Sequence, residues 1–282
     1  METQESAPSG IGGALSEYDR IEAVNISTLK EMRRSPLHYA HRLRYRREDT
    51  DPMRIGRASH TLVFEPDVFF AQYVVWKGGR RYGKEWDAFE ATALLEGKTV
   101  LTADQFADAV RIAEAVTEHE LVKPYLAEGT AEKILTWTDK ETGIACKCRI
   151  DWLSPTVVLD LKNARNATTP SLFASDAYRL GYFHQLSFYR RGVKAVRDYD
   201  PLPVLVAVES TQPHDVAIYL PTSDALYAAD EEVGEWLKRL AKCRALSSWP
   251  GCFDKPLPLN MPRWAFPSVE DMGALDDPDW MK

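Results

Sequence analysis

Between Glu132 and Lys162 the apolar residues stop recurring every three or four positions and begin to alternate. KILTW (133–137), IACKCRIDW (144–152) and TVVLDLK (156–162) are three successive runs rich in β-branched and aromatic residues, separated by a DKETG turn and a Ser-Pro turn. This pattern predicts an antiparallel meander. Helical patterns flank it on both sides: residues 28–34, 37–47, 52–65, 85–97 and 102–121 before it, and a single helix over 178–196 after it. Ser27 and Ser35 are the expected caps of the first two, with Pro36 at a first helical position. Two further strands (203–210 and 215–221) and a last helix over 224–246 complete the order. Helices, three strands, helix, strands and helix predict an α/β sandwich around one mixed central sheet flanked by helices, with helical N-terminal additions.

Composition narrows the class. The chain has 282 residues, 45% of them hydrophobic, and a net charge of −7, which excludes collagen-like, coiled-coil and disordered chains. No stretch approaches the roughly 18 apolar residues of a membrane span, and the N-terminus has no secretory pattern, so a cytoplasmic protein without membrane contact is expected. Cys146, Cys148, Cys243 and Cys252 form no disulfide framework; an iron-sulfur cage is the alternative use of them. The expected organisation is a flexible segment over 1–24, one domain over 25–250, and a proline-rich acidic tail over 251–282.

Strand alternation points to chemistry. Asp160 and Lys162 project from one face of their strand, with Val157, Leu159 and Leu161 on the other. Strict alternation places Asp151 with Lys147 and Arg149, opposite Cys148, Ile150 and Trp152. If the two strands pair through the Ser-Pro turn, Asp151 and Asp160 converge beside Lys162. Two carboxylates and an ammonium at a sheet end suit Mg²⁺, with Mn²⁺ as a substitute, because hard cations take oxygen ligands and keep positions open for water and phosphate.

Asp151 followed by Asp160-Leu161-Lys162 resembles the core motif of PD-(D/E)XK nucleases, whose core is restriction-endonuclease-like. Gly56-Arg57-Ala58-Ser59-His60 resembles the GxxxH helix of the RecB-like branch, Glu132 the glutamate opening its first core strand, and Gln185 to Tyr189 its QxxxY helix. Ile26-Ser27, Ser35-Pro36, Glu65-Pro66 and Trp249-Pro250-Gly251-Cys252 are further similar to RecE-type exonucleases (exodeoxyribonuclease VIII-like). The sequence departs from those relatives at Cys148, where many have glycine, and at Asn163, where Thr or Ser often follows the lysine.

The resemblance implies a Mg²⁺-dependent exonuclease that resects linear duplex DNA from 5′ ends and leaves a 3′ single strand. The metal would be held by His60, Asp151, Asp160 and the Leu161 carbonyl, with Lys162 assisting the water, Glu132 in the catalytic set, and Gln185 and Tyr189 contacting DNA. The implied partners are double-stranded DNA ends, a RecT-like or Red beta-like single-strand annealing protein, and further copies in a ring-like homo-oligomer, in phage or prophage recombination. The alternatives are another RecB-like nuclease, including an iron-sulfur form, and a non-catalytic DNA-end-binding scaffold.

Charge segregation is independent of the resemblance. Residues 30–57 carry nine Lys/Arg and four Asp/Glu, and the loop KGGRRYGK (77–84) carries four basic residues and no acid. A polyanion path on an otherwise acidic body is expected there, with Arg80, Arg81 and Lys84 gripping the DNA backbone and Tyr82 stacking on an end base. The same loop fits GxxxxGK, but Glu85 stands where a phosphate loop needs a Ser or Thr hydroxyl, which argues against an NTPase.

Overall fold

A computed structural model describes residues 17–45 and 49–262. Its principal helices before the meander are α1 (Pro36–Arg44), α2 (Asp51–Phe64), α3 (Lys84–Leu95) and α4 (Ala103–Glu118). Ser35 caps α1 as expected, but the preceding helical turn, Ile26–Leu29, is capped by Asn25, whose side chain accepts from the Thr28 N–H at 2.9 Å. Ser27 therefore lies inside that turn and is not its cap. The helix expected to run to Arg47 ends at Arg44, since Tyr45 is already extended; Arg46 and Arg47 lie outside the described residues, as do most of the N-terminal segment and the end of the acidic tail.

Two short strands, β1 (Tyr73–Trp76) and β2 (Thr99–Thr102), pair in parallel around α3. Sequence patterning did not separate them from their helical neighbours, because four residues show too few alternations. The meander follows as β3 (Thr130–Thr138), β4 (Ala145–Leu153) and β5 (Val157–Ala164). Next come α5 (Pro170–Leu180) and α6 (Tyr182–Arg197), then β6 (Leu202–Glu209), β7 (Val216–Tyr219) and α7 (Ser223–Leu246). The single helix expected over 178–196 is thus two. Gly181 sits at φ +84°, a left-handed conformation that ends α5 and turns the chain into α6.

The main sheet runs β3-β4-β5-β6-β7, antiparallel except for the β5–β6 pair. A parallel pair needs a crossover, and α5 with α6 supply it. Both sheet faces are covered. On one face, α6 and α7 bury Leu186, Phe188, Val193, Val233 and Leu237 against Cys146, Cys148, Ile150 and Val158. On the other, Phe64 of α2 and Ile112 and Val116 of α4 pack on Val157, Leu159, Leu161, Val204 and Val206. This double burial explains why β6 and the first three residues of β5 read as apolar runs. Among the described residues no helix is long and apolar enough to cross a membrane.

Candidate active site

The site forms where β4 and β5 part. Their ladder holds only two pairs, Trp152 with Leu159 and Leu153 with Val158. In that register the next pair would be Asp151 with Asp160, and there the strands separate. In place of a backbone rung, the Asp151 Oδ2 accepts the Leu161 N–H at 2.9 Å. The alternation of β4 slips at the same residue: Cys148 and Ile150 face the α6 side, whereas Trp152 packs with Phe64 on the α2 side. The expectation that all three share a face is corrected. The cause lies across the strand, where Glu132 adopts φ +48° and makes no ladder pair between Ala131 and Lys133. Bend and separation together open a space lined by Asp151, with Asp160 buried just behind it.

His60 arrives from α2. The helix passes the end of β5 at Gly56, where a Cβ would meet Asn163 Nδ2 at an ordinary 4.0 Å. Asn163 then donates to Ser59 Oγ at 3.0 Å and fixes that approach. One turn beyond Gly56, His60 Nδ1 lies 3.5 Å from Asp151 Oδ2. Burial, with the Lys162 charge, pushes the imidazole down to about 4, so it is neutral near pH 7 and has a free ring lone pair, the ligand form.

Asp160 is fully buried, with the Lys162 Nζ 2.6 Å from Oδ2. Gln185 Nε2 donates to its Oδ1 at 2.8 Å and to the Tyr189 hydroxyl at 2.6 Å. Burial raises Asp160 to about 6, the Asp151 charge adding to it and Lys162 opposing; burial likewise raises Asp151. Glu132 is pushed up to about 7 by burial and by Asp151 and Glu65, against the pull of Arg149, whose Nε stands 2.7 Å from its Oε2.

Carboxylates raised chiefly by burial are relieved by a divalent cation, and a neutral imidazole beside them adds a nitrogen ligand to the oxygen donors. The residues present therefore fit the metal that the motif implies. The Lys162 ammonium is ion-paired with Asp160 Oδ2, yet that buried oxygen accepts no hydrogen bond, whereas Asp151 Oδ2 accepts the Leu161 N–H. Among the described residues no three His, Cys, Asp or Glu groups are already gathered as a cage. The iron-sulfur alternative finds no such cluster either. Cys146, Cys148 and Cys243 are buried in the apolar core, and Cys252 is exposed.

The remaining expected residues fall in two groups. Gln185 and Tyr189, expected as DNA contacts, stand on the same cavity wall as Asp151, but their side-chain hydrogen bonds run to the Asp160 carboxylate and to each other. Arg80, Arg81 and Lys84 are exposed, but Arg81 holds Asp51 through two hydrogen bonds of 3.0 and 2.7 Å, and Arg80 donates to the Tyr82 hydroxyl. Asp51 opens α2 nine residues before His60, roughly 14 Å along the axis. Sequence reasoning missed Tyr182, whose ring centroid lies 5.1 Å from the Lys162 Nζ, and Arg149 as a cavity residue. The i, i+3 relation of Tyr182 to Gln185 was the available signal. A cavity of about 280 Å³ joins Arg149, Glu132, Asp151, His60, Gln185, Arg57 and Tyr18.

A mixed sheet with D-x-K on one strand, a second aspartate on its diverging neighbour and helices on both faces defines a PD-(D/E)XK-type core. The sequence model of the family described as PDDEXK-like domain of unknown function (DUF3799) matches residues 25–255. The chain belongs to that family. No curated protein sequence matches it. Among solved structures, an exonuclease by assignment from Eubacterium rectale aligns with a TM-score of 0.61 at 15% identity, over 93% of this chain and 99% of that one. That likeness concerns the fold. An alkaline exonuclease from Laribacter hongkongensis aligns at a TM-score of 0.27 and 14% identity, over 58% of this chain and 84% of that one, too loosely to support an argument.

Proposed function

We propose that the chain is a metal-dependent exodeoxyribonuclease of the RecE type, resecting linear duplex DNA from 5′ ends to leave a 3′ single strand for annealing-type recombination. The observation that carries the reading is the meeting of Asp151, Asp160, Lys162 and His60 at the opening between β4 and β5. His60, Asp151, Asp160 and the Leu161 carbonyl would hold the cation, Mg²⁺ or Mn²⁺. When bound, such an ion acidifies a water and draws charge from a phosphate oxygen. Asp160 would offer the cation Oδ2, now facing Lys162, while Gln185 holds Oδ1. Lys162 then has its N–H groups free to orient water or to meet charge growing on the phosphate. Glu132 stands across from Asp151 as a further carboxylate of the set. The exposed Lys84 and Arg80 of the basic loop would contact backbone phosphates farther along α2. A single-strand annealing protein and a ring-like homo-oligomer are the partners this reading implies.

The test uses purified protein and linear duplex labelled at the 5′ or the 3′ end, with and without Mg²⁺. Label release from the 5′ end only, lost in EDTA and in Asp160→Ala with DNA binding retained, is the expected result. Cleavage by Asp160→Ala, or in excess EDTA, would overturn the site assignment; release from the 3′ end would overturn the polarity.

A further inference from the structure

Arg149 is the basic side chain of the site cavity that its neighbours hold least firmly. Four arginines of the described residues meet a carboxylate with two hydrogen bonds: Arg57 on Asp49, Arg81 on Asp51, Arg190 on Asp200 and Arg191 on Asp230. Arg149 instead meets Glu132 in an ion pair at Nε, and 47% of its side chain stays exposed. A half-exposed pair of that kind contributes little to stability, whereas a guanidinium fork on a phosphate gains two parallel charge-assisted hydrogen bonds. The Tyr18 ring centroid lies 5.4 Å from the guanidinium carbon, and Tyr18 is itself strapped down, since the Lys147 Nζ donates to the Tyr18 and Ile21 carbonyls at 2.6 and 2.9 Å. Arg149 precedes Asp151 by two residues, about 7 Å of extended strand.

The cavity also has a charge problem. Glu65, Glu132 and Asp151 line it, and Asp160 lies just behind; the arginines that line it are Arg57, committed to Asp49, and Arg149. We propose that Arg149 is the substrate-gripping residue of this site: its guanidinium leaves Glu132 and takes the nonbridging oxygens of a DNA phosphate seated against Asp151, with the Tyr18 ring as its backing. Glu132 is then its resting partner in the DNA-free protein. The inference rests on the nuclease reading for the identity of the phosphate.

The experiment compares wild type, Arg149→Gln, Arg149→Lys and Glu132→Gln. Binding to a linear duplex is measured in EDTA at several salt concentrations, and single-turnover cleavage is measured in Mg²⁺. Arg149→Gln should make the slope of log affinity against log salt shallower by about 0.9, the value of one phosphate contact. Its cleavage should slow about a hundredfold. Arg149→Lys should regain the slope and part of the rate. Glu132→Gln breaks the same ion pair but keeps the guanidinium, so its slope should match wild type. Equal slopes for Arg149→Gln and Glu132→Gln would show that Arg149 only supports Glu132 and would overturn the proposal, as would an Arg149→Gln protein with wild-type slope and rate. Melting curves identify a variant that has lost its fold, in which case Arg149→Lys carries the comparison through its rate. A wild type that binds DNA but never cuts it refutes the nuclease reading alone, and the slopes still decide Arg149.

Discussion

Gln185 separates two accounts of the α6 helix. The resemblance makes it a DNA contact, whereas the structure spends its amide on Asp160 Oδ1 at 2.8 Å and on the Tyr189 hydroxyl at 2.6 Å. Gln185→Ala therefore removes a donor from a fully buried carboxylate. A hydrogen bond to a charged group is worth about 1.5–3 kcal/mol, which corresponds to an order of magnitude or two in an equilibrium that requires the carboxylate. Groups that orient metal ligands typically cost about 10–100-fold in metal affinity when removed, the same range reached independently. Mn²⁺ titration followed by electron paramagnetic resonance should show that loss without any DNA present. Tyr189→Phe removes only the phenol behind Gln185, so its effect should be about fivefold or less. Gln185→Glu, which sets an acceptor against an acceptor, should be worse than Ala. Duplex binding in EDTA should be the same for Gln185→Ala and wild type. Unchanged Mn²⁺ affinity together with weakened DNA binding would refute the positioning role and restore the contact role.

Three other outcomes follow from contacts described above or close by. Asp51→Asn frees Arg81, so if the basic loop grips DNA, duplex affinity measured by filter binding should rise and its salt dependence steepen; an unchanged slope would leave the loop a surface connection. Gly192→Ala places a Cβ 2.8 Å from the Trp137 ring, an overpacking of about 1–3 kcal/mol, and should lower the melting temperature by several degrees in calorimetry; an unshifted melt would mean that Trp137 yields freely. Lys147→Met strips the donor from the Tyr18 and Ile21 carbonyls, so limited trypsin digestion at Arg20 should accelerate, with the core fragment resistant.

The chemistry-bearing pair was legible because period-2 alternation is a local rule. Asp160 and Lys162 share a face of β5, as alternation requires, and the apolar set Val157, Leu159 and Leu161 lies against α4 and α2. The meander, the helical crossover and the capping by Ser35 were legible for the same reason, each depending on residues within a few positions of one another. What was not legible depends on contacts between distant segments. Asn25 rather than Ser27 caps its helical turn because the bridge from Val24 to Cys146 fixes where the chain becomes helical. Gln185 is spaced correctly on α6 for either role, and only the height at which α6 crosses β5 assigns it to Asp160.

Asp151 shows where the local rule fails and why the failure is useful. Had β4 kept strict alternation and continued its ladder with β5, the Leu161 N–H would have paired with a backbone carbonyl and the strands would have stayed closed. A left-handed Glu132 across the strand, a conformation costing a residue with a Cβ about 1–2 kcal/mol, breaks both conditions at one rung. The Asp151 carboxylate then takes over the orphaned N–H, and Trp152 is rotated onto the opposite core. The local cost is offset by burial of Trp152 against Phe64 and by the Arg149 ion pair, and its product is an opening that two aspartates, a lysine and a histidine can share. A glutamate in a meander signals a solvated face in the sequence. Its backbone angle, set by the strands around it, makes it the residue that opens the site.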